Sequence, residues 1–419
     1  MMKKRLLVAV LAAGLALPAL ATELRLATWN LGWHMDMALA RTWMSQCGRP
    51  FALSAKDQRW APAAEGPSTG WQLTWGREAP IDWDIGTLPP CNVYQVRGQI
   101  LPVTEPMYAQ RQRQIAEVLG RQVDADVIAF QEVSGRQSVL EVLPGGGADY
   151  EVCSYEGHKV QRLAIAWRKR LGPAVSCEAY WPLSLPEAPA KDQPRPGLAL
   201  TLKVDGKLLR LMTLHLKSSC VTPLEDPRPD GRGQLDGQEP NCRVLQQQVP
   251  ALEAWLEAQS VGVDALVMLG DFNRDLVHEA REPASAAARS DGKPSDPHRP
   301  GNRVRNLWRE VNDGVPTAST LTLLDVACPG GDAVQALCAV AKTRRLARDE
   351  YGRLGGLDGL GCRNPIGLDH IAVSGNLKAG SAQKVALGAL GPAAPASETR
   401  PLATLGTSDH CPLTAVLSW

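Results

Sequence analysis

Six short polar clusters carry the residue types that hydrolytic chemistry needs: Trp29-Asn30, Gln131-Glu132, Leu214-His215, Gly270-Asp271-Phe272-Asn273, Leu368-Asp369-His370-Ile371 and Ser408-Asp409-His410. Glu132, Asp271 and Asp409 are hard oxygen donors, suited to Mg²⁺ or Mn²⁺ rather than Zn²⁺. Three carboxylates brought together repel without a cation. Asn30 and Asn273 add neutral amides that can donate to phosphate oxygens or help seat a metal. His215 and His410 add imidazoles able to stabilise or protonate a departing oxygen. The set suits cleavage of a phosphoester. A lone Asp or His in such a setting is more often a cap or a satisfied polar group, so the weight rests on the combination.

The elements around these clusters must bring them to one place. Leu24 to Asn30 alternates enough for a strand. Ile115, Val118 and Leu119 among Arg and Gln predict an amphipathic helix over Met107 to Gln122, leading into a buried strand over Asp126 to Glu132. Further strands are predicted at Leu163–Trp167, Leu198–Val204, Leu208–Leu214, Ala265–Leu269, Leu368–Val373 and Pro412–Leu417, with a helix at Val244–Ala258. Four clusters then fall at or just past the carboxyl end of a strand, and the other two stand at the start of one. Strand ends display functional groups well because the ladder fixes them while loops give access. The polar, Pro-containing stretch that runs on to about Gly301 is expected to be a mobile or disordered loop. Gly355 to Gly361 reads as a loop, since no strand suited to a dinucleotide fold precedes it. His-Glu-x-x-His does not occur, which argues against a zinc protease of that type.

The chain opens MMKKRLLVAVLAAGLALPALA, with Lys3, Lys4 and Arg5 ahead of an apolar run and small residues at Ala19 and Ala21. This predicts a cleaved signal peptide over residues 1–21 and a secreted or periplasmic protein. Its apolar run is too short to span a bilayer. The 45 basic residues fall to 42 once the leader is set aside, against 44 acidic ones. A nearly neutral protein has no broad basic surface, so a polyanionic substrate must be gripped locally. The 10 cysteines, even in number and without a Cys-x-x-Cys pair, read as disulfides. Cys153/Cys177, Cys220/Cys242 and Cys328/Cys338 are candidate bridges across loops. If Cys220 and Cys242 are joined, Val221–Asn241 becomes a stapled loop just past His215, either a gate or a surface excursion. One domain over 22–419 is expected, interrupted at about 34–105 by an insertion holding Trp43, Trp60, Trp71, Trp75 and Trp83. These indoles read as a small satellite core or, alternatively, as a stacking platform.

In order and in type, the six clusters resemble the signature of the endonuclease/exonuclease/phosphatase superfamily, the fold shared by pancreatic-type deoxyribonuclease and neutral sphingomyelinases. They span Trp29 to His410, nearly the whole mature chain. The resemblance implies a four-layered α/β/β/α sandwich of two mixed β-sheets flanked by helices. It also implies roles. Glu132 would bind the catalytic metal, with Asp409 and Asn30 completing or supporting its site. Asp271 would orient or deprotonate the attacking water, Asn273 would contact the phosphate, Asp369 would align and charge His410, and His215 would sit opposite on the scissile phosphate. The implied cofactor is Mg²⁺, with Mn²⁺ as a substitute and Ca²⁺ as a structural ion.

Two positions depart from the pattern. Where the deoxyribonuclease branch has a Glu supporting the histidine equivalent to His215, the nearest residue is Gln161, which can orient an imidazole but not stabilise its cation. Asp369-His370-Ile371 also lacks the Trp and Arg of the inositol polyphosphate phosphatases, which argues against that substrate. The first expectation is an exported nuclease hydrolysing DNA, and RNA as a variant of it, through in-line attack of water. The alternative is a sphingomyelinase-like phospholipase acting on membrane lipid, and a third reading is a non-catalytic binding homologue. No obligate protein partner is inferred.

Overall fold

The computed structural model describes residues 23–56, 60–70, 86–89, 91, 103–223, 231–282, 305–328, 331–356, 360–362, 367–394 and 404–419. The strands are β1 (Leu24–His34), β2 (Arg49–Leu53), β3 (Trp60–Pro62), β4 (Ser68–Gly70), β5 (Val127–Val133), β6 (Tyr150–Ser154), β7 (Arg162–Arg168), β8 (Ser176–Tyr180), β9 (Gly197–Val204), β10 (Lys207–His215), β11 (Ala265–Asp271), β12 (Leu321–Leu323), β13 (Asp369–Ser374), β14 (Lys378–Ala379), β15 (Gln383–Lys384) and β16 (Leu413–Ser418). The helices are α1 (Met37–Cys47), α2 (Glu105–Val118), α3 (Arg136–Leu140), α4 (Pro240–Ser260), α5 (Leu276–Arg281), α6 (Leu307–Val311), α7 (Asp332–Thr343) and α8 (Arg348–Gly356).

Two mixed sheets form the body. One runs β14-β16-β1-β5-β7-β6, with β15 also on β16, and the other runs β12-β13-β11-β10-β9-β8. Within them β1 and β5 are parallel, as are β10 and β11, while the other pairs are antiparallel. Alternate residues of the central strands enter different cores, which is why these strands read as nearly continuous apolar runs. Val127 and Ala129 pack between the sheets with Leu211, Val267 and Ile371. Ile128 and Phe130 point outward to Ile115, Val118 and Leu119 at the end of α2. On the far side, Met212 and Met268 meet Leu245, Val249, Leu252 and Trp255 of α4. The order helix, sheet, sheet, helix is the four-layered sandwich expected from the resemblance.

The predicted strands and the helix at Val244–Ala258 are present with ends shifted by a few residues, and α2 stops at Val118 before a π-turn over Leu119–Val123. Two readings need correction. The stretch after β11 is not a loop throughout, because Asp275 caps the N–H of His278 and starts α5. Gly355 and Gly356 close α8 rather than lying in a loop.

The three anticipated disulfides, Cys153–Cys177, Cys220–Cys242 and Cys328–Cys338, are joined by Cys47–Cys91 and Cys362–Cys411. Within the insertion, Trp43 is buried among Met35, Cys47, Cys91, Val103 and Tyr108 in a satellite cluster of its own, beside the small sheet β3-β2-β4. Trp71, Trp75, Trp83, the leader and most of the polar stretch to Gly301 lie outside the described residues. Among the described residues, no helix is long and apolar enough to cross a membrane.

Candidate active site

The pairing of strands delivers the polar clusters to one end of the sandwich. Asn30 lies beside Gln131 across β1 and β5, His215 lies beside Asp271 across β10 and β11, and Asp271 faces Asp369 across β11 and β13. Four of the six clusters contain a brace next to the chemical residue. The Trp29 indole donates to the His410 carbonyl at 2.8 Å. The buried Gln131 amide donates to Thr28 Oγ1 and Thr213 Oγ1, both at 3.0 Å, and so ties the two sheets together. Ser408 Oγ donates to the Asn30 carbonyl at 2.6 Å and accepts from His410 N at 3.0 Å. Gly270 has φ +141°, and a Cβ there would lie 2.3 Å from the Leu214 carbonyl oxygen, so the close approach of β10 and β11 ahead of Asp271 requires glycine. Glu132 and Asn273 sit at φ +58° and +53°. Such backbone is costly for residues with a Cβ and clusters at functional sites.

The side chains converge on Asp271, which is almost fully buried. Its Oδ2 accepts from Asn30 Nδ2 at 3.0 Å and lies 3.4 Å from His215 Nε2 and 3.8 Å from His410 Nε2. Its Oδ1 accepts from Asn273 N at 2.8 Å. His215 Nε2 is also 3.7 Å from Glu132 Oε1, and His410 Nδ1 is 2.8 Å from Asp369 Oδ2. Asn273 Nδ2 donates to the Leu216 carbonyl at 3.0 Å, which leaves one of its amide hydrogens for a ligand. The sequence-predicted residues are therefore brought together, with Asp409 exposed at the rim. Glu132 and His410 each keep 16% of the side chain open, so a substrate can reach them.

Electrostatics divide the two histidines. Burial opposes the charge of His410, but Asp369, Asp271 and Asp409 together outweigh it and push it up to about 10. Burial, followed by the charges of Arg195, His410 and Lys217, holds His215 well below the usual imidazole range. His215 is thus neutral, and its buried Nδ1 has no partner. Gln161 does not supply one, and its own Oε1 is unpaired as well. Burial pushes Asp271 up to about 7 against the pull of His410. Burial likewise raises Glu132, opposed by Arg195 and reinforced by Asp409. His370 turns away from this centre. Its Nε2 lies 2.8 Å from the Arg274 carbonyl, and burial lowers it to about 4, so it is a core residue.

Among the described residues, Asp271, Asp369 and His410 present ligand atoms within 4.8 Å of one another. This trio does not suit a metal, because an imidazolium held between carboxylates has no lone pair to give. The expected set fits a hard cation better. Glu132 accepts from the Trp33 N–H through Oε2 at 3.1 Å, which leaves carboxylate lone pairs for a cation. Asp409 adds a second carboxylate nearby, and Asn30 Oδ1, which accepts from Gly32 N at 3.0 Å, retains a second lone pair.

One residue near the centre carries no motif signal. Arg195 precedes β9, and its charge acts on both Glu132 and His215. Its setting between Pro194 and Pro196 is the available hint in the sequence.

The family described as Endonuclease/Exonuclease/phosphatase family matches residues 96–410. No curated protein sequence matches the chain. Among solved structures it is similar to an endonuclease/exonuclease/phosphatase family protein from Bacteroides thetaiotaomicron, at 14% identity and TM-score 0.44, covering 95% of this chain and 98% of that one. It is also similar to D. rerio TDP2 humanized by 14 mutations, at 12% identity and TM-score 0.41, covering 94% and 98%. ANGEL2, a 2',3'-cyclic phosphatase in complex with adenosine-2',3'-vanadate, is similar at 15% identity and TM-score 0.43, covering 95% and 96%.

Proposed function

The chain belongs to the endonuclease/exonuclease/phosphatase family, and from that premise we propose that this phosphoesterase is an exported, Mg²⁺-dependent nuclease that hydrolyses the phosphodiester bonds of DNA. The observation that carries the reading is the convergence of Asn30, His215 and His410 on the single carboxylate of Asp271, beside Glu132. Asp271, with a proton affinity near neutrality, takes the proton of the attacking water. Asn30 fixes which oxygen does so. His215, neutral and carrying its proton on Nε2, donates a hydrogen bond to the phosphoryl group. His410, kept cationic by Asp369, faces the negative charge that develops in the transition state. A divalent ion held by Glu132 and Asp409, with Asn30 in support, offsets charge on the phosphoryl oxygens when bound. Export rests on the leader and on the five disulfides, which suit an oxidising compartment. Recovery of the protein from cells with Met1 still at its N-terminus would overturn that part.

Plasmid nicking by the oxidatively folded chain from Thr22, with Mg²⁺ against EDTA, tests the reading. Nicking should require the metal and fall by about 10²–10⁴ in Asp271→Ala, the usual contribution of a general base. An intact plasmid beside phosphocholine released from sphingomyelin would move the substrate to lipid, and nicking retained in Asp271→Ala would remove that residue from its role.

A further inference from the structure

A wall of cations outside the six clusters closes on the catalytic centre from the side of His215. Arg195 stands on a segment held from several directions. Its neighbours Pro194 and Pro196 are both buried, and proline restricts both its own backbone and that of the residue before it. His158 Nε2 lies 2.8 Å from the Pro194 carbonyl. Lys159 Nζ donates to the Lys191 carbonyl at 3.1 Å and to that of Gln193. The Gln193 amide in turn folds the segment on itself, donating to Pro186 O at 3.0 Å and Ala188 O at 2.8 Å.

This bracing presents a guanidinium whose Nε is buried without a partner. An unpaired buried donor costs about 1–3 kcal/mol, more when charged, so a site that keeps one is arranged for an acceptor that arrives. Lys217, two residues past His215 and half-buried, adds a second charge on the same side. Burial and Arg195 together lower Lys217 and bring Lys159 down to about 8, with Asp192 and Glu239 as the weaker opposing anions. Like charges packed this closely call for an anion. The phosphate at the catalytic centre already has Asn273, His215 and the carboxylate-held cation, so further positive charge points to further negative charge on the substrate.

We propose that Arg195 and Lys217, with Lys159 locking the segment that carries Arg195, form a phosphate subsite flanking the catalytic centre, and that the substrate is a nucleic acid strand rather than an isolated phosphate ester. This rests on the phosphodiesterase reading given above. Arg195 and Lys217 hold phosphates that flank the scissile one along the strand. The near-neutral chain thereby grips a polyanion through a local patch.

Binding of a fluorescein-labelled single-stranded oligonucleotide is measured by anisotropy across a salt series, with Mg²⁺ present and in an Asp271→Asn background that spares the probe. Adding Arg195→Gln or Lys217→Gln should weaken binding at least about tenfold. Each should also lower the slope of log K against log salt by about 0.7 for each phosphate no longer neutralised. Lys203→Gln, an exposed charge at the far end of β9, should change neither. Arg195→Lys keeps the charge without the fork and should retain the slope while losing affinity, which separates phosphate binding from simple unfolding; thermal melts of each variant accompany the series. Unchanged slopes in folded Arg195→Gln and Lys217→Gln, or no binding by the Asp271→Asn protein at low salt, would overturn the subsite. Wild-type plasmid nicking reads the phosphodiesterase assignment separately: nicking with unchanged slopes refutes the subsite alone, and altered slopes without nicking refute the assignment alone.

Discussion

Asp369→Asn keeps the shape of the side chain and removes its charge from His410. The two groups lie 2.8 Å apart with side chains only 5% and 16% exposed, so water screens the pair poorly. An opposite charge at such range moves a pKa by about 1–3 units. From its native position near 10, His410 should therefore drop to roughly 7–9, a loss of about 1.4–4 kcal/mol in favour of the imidazolium. The assay is kcat/KM on a single-phosphate diester across neutral and alkaline pH. In the wild type the alkaline limb should fall near the His410 value. In Asp369→Asn it should begin about 1–3 units lower, giving a deficit of about 2- to 100-fold at pH near 9 that shrinks toward neutrality. The same shift predicts stability. His410 binds its proton more tightly when folded, so its stabilisation is complete below the ordinary value of 6.5 and is lost as pH climbs through about 10. Asp369→Asn should close that window earlier, as read from melting temperature against pH. An alkaline limb that does not move, or moves upward, would refute the coupling.

Glu132→Gln should weaken Mn²⁺ binding by at least about tenfold in calorimetric titration, with one strong ion per wild-type chain. Unchanged affinity would remove Glu132 from the metal set. Because burial raises the Glu132 carboxyl, wild-type affinity should also decline on acidification earlier than an exposed glutamate would allow. Gly270→Ala places a methyl 2.3 Å from the Leu214 carbonyl oxygen at φ +141°. It should cost about 3 kcal/mol in urea unfolding, and a cost below about 1 kcal/mol would show that β10 and β11 can part without penalty. Removing the Cys220–Cys242 bridge, which spans 22 positions, as the double alanine variant should cost about 3 kcal/mol. An unchanged melting temperature would show that Arg274, which donates to the carbonyls of Cys220 and Gly233 at 2.7 Å each, suffices to hold the loop.

Four of the six candidate-site clusters were legible because a brace travels with the chemical residue. Trp29 beside Asn30, Gln131 beside Glu132, Gly270 beside Asp271 and Ser408 beside Asp409 are held by contacts that few other residue types could make, so chemistry and support leave a joint trace in the sequence. Central strands were legible as apolar runs because both their faces are buried. The helices α1 and α7 were not anticipated, since they pack on satellite clusters around Trp43 or Cys338 rather than on the main sheets. Local disulfides could be read from spacing. Cys47–Cys91 and Cys362–Cys411, separated by 44 and 49 positions, depend on tertiary closeness that spacing does not reveal. Arg195 escaped for the opposite reason to the motifs. Its supports are carbonyl contacts from His158 and Lys159, and backbone carbonyls impose no residue type on the partner segment.

Arg195 also explains how the centre tolerates Gln161 where a carboxylate would support a charged histidine. A protonated His215 would stand among Arg195, His410 and Lys217, all of which disfavour its charge, and a glutamate at position 161 would work against them. With a neutral His215, the carboxylates of Glu132, Asp271, Asp369 and Asp409 face the cations of His410, Arg195 and Lys217. A divalent ion beside Glu132 would add positive charge there, which would let Asp271 give up the proton that burial makes it keep and leave it ionised to act as a base. A metal held there would have a second consequence beyond offsetting phosphate charge: it would favour the ionised form of Asp271, the proposed base. That coupling would tie the acid limb of the pH profile to metal occupancy, and the alkaline limb chiefly to Asp369, which leads the carboxylates that hold His410 cationic.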